Sequence, residues 1–256
     1  MKLHFRNTDI YYTAKGTGNP LVLLHGFLES SKIWEPFMEG LAKKRQVICI
    51  DLPGHGKTGI IEEVHSMELM AQVVKGVLDH LGIDKATFVG HSMGGYVSLA
   101  FLELDPQSTA GLVLMNSTPE EDTAEKRINR DRSVAVVERN KKAYITTAIS
   151  GLVTPANNLR FKAELANLRS IANTFPTEGI TAALKGMKIR TNKREVLTNF
   201  KNFKAIISGK NDPIIPYDSI EKLVKECNCQ FISMPDGHLS YLENYSEIDK
   251  FVHFID

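Results

Sequence analysis

The chain is poor in cysteine, in net charge and in long apolar runs, and each shortage excludes a class of protein. Its three cysteines are Cys49, inside an apolar run, and Cys227 with Cys229 in a C-x-C pair. That count and spacing fit neither a disulfide framework nor a zinc site, so a reducing, cytoplasmic setting is expected and no metal is implied. Lys and Arg number 31 against 30 Asp and Glu, a formal charge of +1. So close a balance offers no broad field for nucleic acid or an anionic membrane, and the expected partner is a small-molecule substrate. Residues 1–7 hold no signal-peptide core, and no later stretch is long and apolar enough to span a bilayer.

What is present is a length of 256 residues, enough to bury a large core as one enlarged domain or a domain with an insertion. The chain is organised around Phe88-Val89-Gly90-His91-Ser92-Met93-Gly94-Gly95-Tyr96. It is apolar and β-prone up to Gly90 and helix-like from Met93, which sets Ser92 in a strand-to-helix turn. This G-x-S-x-G arrangement is the pattern of a nucleophile elbow. A serine there is strained, and side chains at Gly90 or Gly94 would collide with neighbouring backbone.

Around this stretch, short strands are expected at residues 3–5 and 10–13. The continuous apolar run at 21–24 suits a strand covered on both faces, 46–50 and 111–116 read as further apolar strands, and strand signals resume at 203–208 and 230–234. A helix is expected from Ser30 or Ser31 through Leu41, carrying Trp34, the only tryptophan. A clearer one carries Met70, Val73, Val74, Val77, Leu78 and Leu81, with Ser66 as N-cap and Gly82 past its end. The last helix carries Ile248, Phe251, Val252 and Ile255, with Ser246 and Asp249 as a capping box. Strands alternating with helices predict a parallel sheet.

Between residues 119 and 195 the rhythm becomes helical only, with Val134, Val137, Lys141, Ile145, Ala148 and Leu152 at helical spacing. This segment holds fifteen Lys and Arg against nine Asp and Glu, a net of +6. Solvated helix faces explain such an excess; so would cleft-facing cations among Arg127, Arg130, Arg132, Lys185, Lys188 and Arg190 that hold a substrate carboxylate.

The chain resembles the α/β-hydrolase fold family over nearly its whole length. The residues that carry the resemblance are His25-Gly26-Phe27, Asp51-Leu52-Pro53-Gly54-His55-Gly56, the Ser92 elbow, Gly209-Lys210-Asn211-Asp212-Pro213 and Gly237-His238, in the family's order of nucleophile, acid and histidine. The resemblance implies an α/β fold with a mostly parallel, eight-stranded sheet flanked by helices. Residues 1–118 and 196–256 would form the core domain and 119–195 a helical cap. It also implies a serine hydrolase of carboxylesterase type, working through an acyl-enzyme without a cofactor. Other activities of the fold stay open. The opening His25-Gly26-Phe27-Leu28 with Trp34 is similar to a pyruvate-eliminating synthase of the menaquinone pathway, and carbon–carbon bond hydrolysis, lactone opening or a receptor role with little turnover are further readings.

A serine hydroxyl needs a base, and His238, in a loop after the last expected strand, is the candidate. His25 and His55 belong to loop motifs where a structural hydrogen bond is the plainer role, and His91 cannot turn toward the serine beside it. Asp212 is the candidate acid that fixes the His238 tautomer. Among competitors, Asp51 precedes a Pro-Gly turn and suits turn capping, Glu243 is read as a solvated helix charge, and Asn116, at the family's alternative acid position, carries no charge. By resemblance, the backbone N–H groups of Phe27 and Met93 form an oxyanion hole, and His25, Gly26, Phe27 and Met93 line an apolar pocket.

Overall fold

Eight segments form strands: β1 (Lys2–Phe5), β2 (Thr8–Lys15), β3 (Asn19–Leu24), β4 (Arg45–Ile50), β5 (Ala86–His91), β6 (Thr109–Met115), β7 (Phe203–Gly209) and β8 (Gln230–Met234). In the computed structural model, which describes residues 1–255, they make one sheet in the order β1-β2-β4-β3-β5-β6-β7-β8. β2 runs antiparallel to β1 and β4; the remaining pairings are parallel. From β3 to β7 nearly every residue is buried, as the unbroken apolar runs require of strands covered on both faces. β1 alternates exposed with half-buried positions and β8 is partly open, as suits the two edges.

Eleven helices connect and cover the strands among the described residues: α1 (Glu35–Leu41), α2 (Met67–His80), α3 (Met93–Leu104), α4 (Ala124–Ser150), α5 (Pro155–Arg160), α6 (Lys162–Asn173), α7 (Thr177–Ile189), α8 (Arg194–Asn199), α9 (Tyr217–Cys227), α10 (Ser240–Glu243) and α11 (Tyr245–His253). The chain steps from β3 to β4 in one direction and from β5 to β6 in the other. Right-handed crossovers therefore set α1 on one face and α2 with α3 on the opposite one. The contacts agree: α1 packs on α11, while α2, α3, α8 and α9 touch in succession. The reversal opens a crevice between the carboxyl ends of β3 and β5, the usual ligand position in such sheets.

Local signals account for the helix ends. Ser66 caps α2, its hydroxyl accepting from Leu69 N at 3.1 Å, and Gly82 closes it at φ 65°. The helix expected through Leu41 is divided: residues Ser31–Trp34 form a 3-10 turn, and α1 follows. Pro36 has no N–H, so an α-helical ladder cannot run unbroken through it. The expected capping box at Ser246 and Asp249 does not form. Ser246 already lies inside α11, whose N-cap is Asn244, and Ile255 is buried beyond the helix end.

Helices α4 to α7 stand between β6 and β7. α4 is bent at Asn140, whose Oδ1 accepts from Ala143 N at 3.1 Å and so caps the second half. Lys141 Nζ donates to Asn173 O at 3.1 Å and Phe175 O at 2.7 Å, satisfying carbonyls at the end of α6. α7 is tied to the loop before α2 by His65 N donating to Ala182 O at 3.0 Å. The 195/196 boundary read from the sequence falls within α8, which packs on α3 and α9.

Candidate active site

β5 ends at His91 and α3 starts at Met93, leaving one residue for the turn. Ser92 makes it at φ 49° and ψ −112°, a conformation that costs a non-glycine residue of order 1–3 kcal/mol. The packing dictates the glycines around it. A Cβ at Gly90 would lie 2.4 Å from Gly94 O, and one at Gly94 2.4 Å from Leu24 O, both impossible contacts with backbone. The turn is held from outside, by Ser92 N donating to Met115 O at 2.9 Å and Ser117 Oγ donating to Ser92 O at 2.8 Å.

The loops after β7 and β8 bring Asp212 and His238 to the same edge of the sheet. His238 Nε2 lies 2.9 Å from Ser92 Oγ, and its Nδ1 lies 2.8 Å and 2.9 Å from the two carboxylate oxygens of Asp212. With the Nδ1 proton directed at Asp212, the Nε2 lone pair is free to accept from the hydroxyl. Asp212 Oδ1 also accepts from Ile214 N at 2.8 Å and Ile215 N at 3.0 Å, and Oδ2 from Asn116 Nδ2 at 3.1 Å. Burial pushes the Asp212 carboxyl up, but the facing His238 ring and these amides hold it below its ordinary value of 3.8. It stays a carboxylate where the imidazole needs one.

The other candidates take structural roles. Asp51 accepts from Ser31 N and Lys57 N, both at 2.9 Å, capping the turn after β4. His25 is wholly buried, with Nδ1 2.8 Å from Gly26 O and Nε2 accepting from Leu52 N at 2.9 Å. Burial pushes the His55 pKa down to about 3, so that ring is neutral. Glu243 corrects the sequence reading: it is buried rather than solvated, accepting from Leu239 N at 2.9 Å and Asn157 Nδ2 at 2.6 Å. Burial raises its pKa. It does not reach the His238 ring; it braces the loop on which His238 stands.

Beside Ser92 is a cavity of about 180 Å³. Phe27, Leu28, Tyr96 and Ile214 line it from the sheet side, and Arg130, Tyr144, Ala148, Leu152 and Met187 from the helices inserted after β6. Of the expected pocket residues only Phe27 lines it. His25, Gly26 and Met93 sit behind the wall, their space taken by packing and by Glu29. Among the described residues, neither Phe27 N–H nor Met93 N–H has a hydrogen-bond partner in the chain, so both amides are free to donate. Larger cavities near Ile33 and Thr13 hold no comparable nucleophile and base.

The sequence pattern that defines the alpha/beta hydrolase fold matches residues 19–245. The chain belongs to the α/β-hydrolase fold family. A candidate non-heme haloperoxidase of Mycobacterium phage D29 is 30% identical over 234 residues, covering 89% of this chain and 83% of that one. An esterase from Thermogutta terrifontis, solved with malate bound, superposes with a TM-score of 0.90 at 30% identity over 96% of this chain and 92% of the esterase. An enol-lactonase from Burkholderia xenovorans LB400 shares the fold at 20% identity, with a TM-score of 0.90 over 98% of each chain.

Within this α/β-hydrolase fold, the loop after β3 is organised by a residue that the motif reading passed over. Glu29 accepts from Gly26 N at 2.6 Å and His91 Nδ1 at 2.8 Å through Oε2, and from Tyr241 Oη at 2.9 Å through Oε1. Burial opposes both charges of the Glu29–His91 pair, yet each partner's field prevails, lowering the Glu29 pKa and raising that of His91. The only signal was a lone acid four residues beyond His25, which reads the same buried or exposed.

Proposed function

We propose that this protein is a serine hydrolase that cleaves an ester, or a related acyl bond, of a small and partly apolar substrate. The observation that carries the reading is the continuous relay from Ser92 Oγ through His238 to Asp212, with links of 2.9 and 2.8 Å, beside a cavity. In the proposed reaction Ser92 Oγ attacks the carbonyl carbon as His238 Nε2 takes its proton, and Asp212 stabilises the imidazolium. The oxyanion accepts from Phe27 N–H and Met93 N–H, each worth about 100- to 1000-fold in kcat in comparable sites. The alkoxide leaves with the proton from His238, and water resolves the acyl-enzyme by the same steps in reverse order. Helices α4 to α7 act as a cap, supplying the wall of the cavity opposite the sheet.

The test is labelling with a fluorophosphonate probe, together with turnover of p-nitrophenyl esters of increasing chain length. Wild type should label and turn over, and Ser92→Ala should do neither while melting as a folded protein. Labelling retained in Ser92→Ala would overturn the assignment; labelling without turnover of any ester would favour a receptor role.

A further inference from the structure

Of the six basic side chains that could have faced the cleft, five point elsewhere. Arg127 pairs with Glu121 and Lys188 with Asp131 on the outer surface, Arg132 reaches Asn129, and Lys185 is outside the cavity wall. Arg190 is buried and held by other partners. Its Nη1 is 2.7 Å from Asp122 Oδ1 and donates to Met187 O at 3.0 Å, its Nε donates to Glu120 O at 3.2 Å, and its guanidinium stacks 4.0 Å over the Tyr96 ring.

Arg130 alone lines the cavity that contains Ser92 and His238. Its Nε donates to Asp122 Oδ2 at 3.0 Å, which fixes the plane of the guanidinium. Among the described residues its two terminal nitrogens have no hydrogen-bond partner. The same cavity is lined by Ala148, Leu152 and Met187 and by Tyr144. A neutral substrate filling this space would strip water from four N–H donors and offer nothing back, at a cost of about 1–3 kcal/mol for each group left unpaired.

The charge around the site is also unbalanced. Asp122, only 2% exposed, is the one carboxylate shared by Arg130 and Arg190. Lys126 extends toward Ile214, its Nζ 3.5 Å from Ile214 O, and its pKa is lowered by burial together with the fields of Arg190 and Arg130, against the opposing fields of Asp122 and Asp212. Arg130, Arg190 and Lys126 thus gather around the single carboxylate of Asp122, while Asp212 is engaged by His238 and its own amides.

We propose that Arg130 binds a carboxylate on the substrate, so that the physiological substrate is an acyl compound carrying a second, anionic carboxyl group. The guanidinium fork accepts such a group bidentately, while the carbonyl to be attacked sits at Ser92. This rests on the proposed hydrolase reading for the position of the reacting carbonyl, but the anion site itself does not.

The experiment compares mono-p-nitrophenyl succinate with p-nitrophenyl butyrate, matched in chain length and differing in one carboxylate. In wild type the ratio of kcat/KM should favour the anionic ester, and Arg130→Gln should lower that ratio about thirtyfold, mainly through KM. Arg130→Lys, which keeps the charge without the fork, should recover part of it. A merely structural role would lower both esters together and leave the ratio unchanged, which would overturn the proposal. Independently of turnover, N-phenylsuccinamic acid should bind Ser92→Ala more tightly than N-phenylbutyramide in calorimetry, and this preference should vanish in Ser92→Ala/Arg130→Gln. If neither ester is hydrolysed but the binding preference holds, the esterase reading fails and the anion site stands; if both esters turn over without preference in rate or binding, the reverse is true.

Discussion

His91 Nε2 lies 2.9 Å from the backbone carbonyl oxygen of His238, so the residue before the proposed nucleophile holds the residue proposed as its base. The opposite ring nitrogen lies 2.8 Å from Glu29 Oε2. A ring that faces an acceptor on each side is satisfied only as the imidazolium, with a proton on both nitrogens. The Gly26–Glu29 turn, the elbow and the His238 loop are thereby joined through one buried ion pair.

His91→Ala should therefore destabilise the protein strongly, because it leaves the Glu29 charge buried and unpaired. A loss of about 3–5 kcal/mol is expected from urea unfolding, with part of it recovered when Glu29→Gln is added. A loss under about 1 kcal/mol, the scale of an exposed pair, would show that the pair carries no charge.

The same pair sets a pH dependence whose sign follows from the two shifts. The His91 pKa is raised above 6.5, so its contribution is full below pH 6.5 and is lost as pH rises through the folded value. The Glu29 pKa is lowered below 4.5, so its contribution is full above pH 4.5 and is lost as pH falls through the folded value. The stability gap between wild type and Glu29→Gln/His91→Gln should be widest between these pH values and narrow on both sides. Urea midpoints at acidic, intermediate and alkaline pH check this, and a constant gap contradicts it.

Asn116 Nδ2 donates to Asp212 Oδ2 at 3.1 Å and also to Gly237 O at 3.1 Å. Asn116→Asp replaces a donor by a second carboxylate at the same distance. Like charges that close cannot both ionise freely, so the shared proton should raise the apparent pKa of the acidic limb of the kcat profile. An acidic limb that stays where it is in wild type would mean that position 116 has no electrical influence on Asp212.

Asp212→Asn should lower kcat about 10,000-fold, by analogy with the serine-protease triad. Glu243→Gln should instead lower stability by about 1–3 kcal/mol, since it disturbs a buried acceptor of Leu239 N and Asn157 Nδ2, with the smaller effect on kcat. Steady-state kinetics alongside thermal melts separates the two. Were Glu243→Gln the more damaging to kcat, the acid would be misassigned.

The arrangement of the candidate site was legible wherever its pattern is written in consecutive residues. Gly90, Gly94 and Gly95 specify the elbow because a Cβ at each would collide with its neighbours, and Gly209 to Pro213 and Gly237-His238 follow strands that announce their own ends. The supporting residues were not legible, for a physical reason. Glu29 meets His91 across 62 positions, Asn116 meets Asp212 across 96, and Asn157 meets Glu243 across 86. A lone polar residue in a loop has the same local pattern buried or solvated, and only the assembled sheet decides. Local pattern also misled at Ser246 and Asp249, where the right residues stand at capping-box spacing two residues past the N-cap, Asn244.

His238 N donates to Leu152 O at 3.0 Å, and Asn157, a few residues on, donates to both Asp236 and Glu243. The inserted helices are thus not an interchangeable attachment: the segment from Leu152 to Asn157 supports the loop of His238, the proposed base. Chimeras that import a foreign lid with junctions outside this segment would lose the carbonyl that His238 leans on and slow turnover of every substrate alike, however well the new lid fits. Grafts that retain residues 152–157 should keep the Ser92–His238–Asp212 relay aligned, leaving α4, α6 and α7 as the helices to exchange.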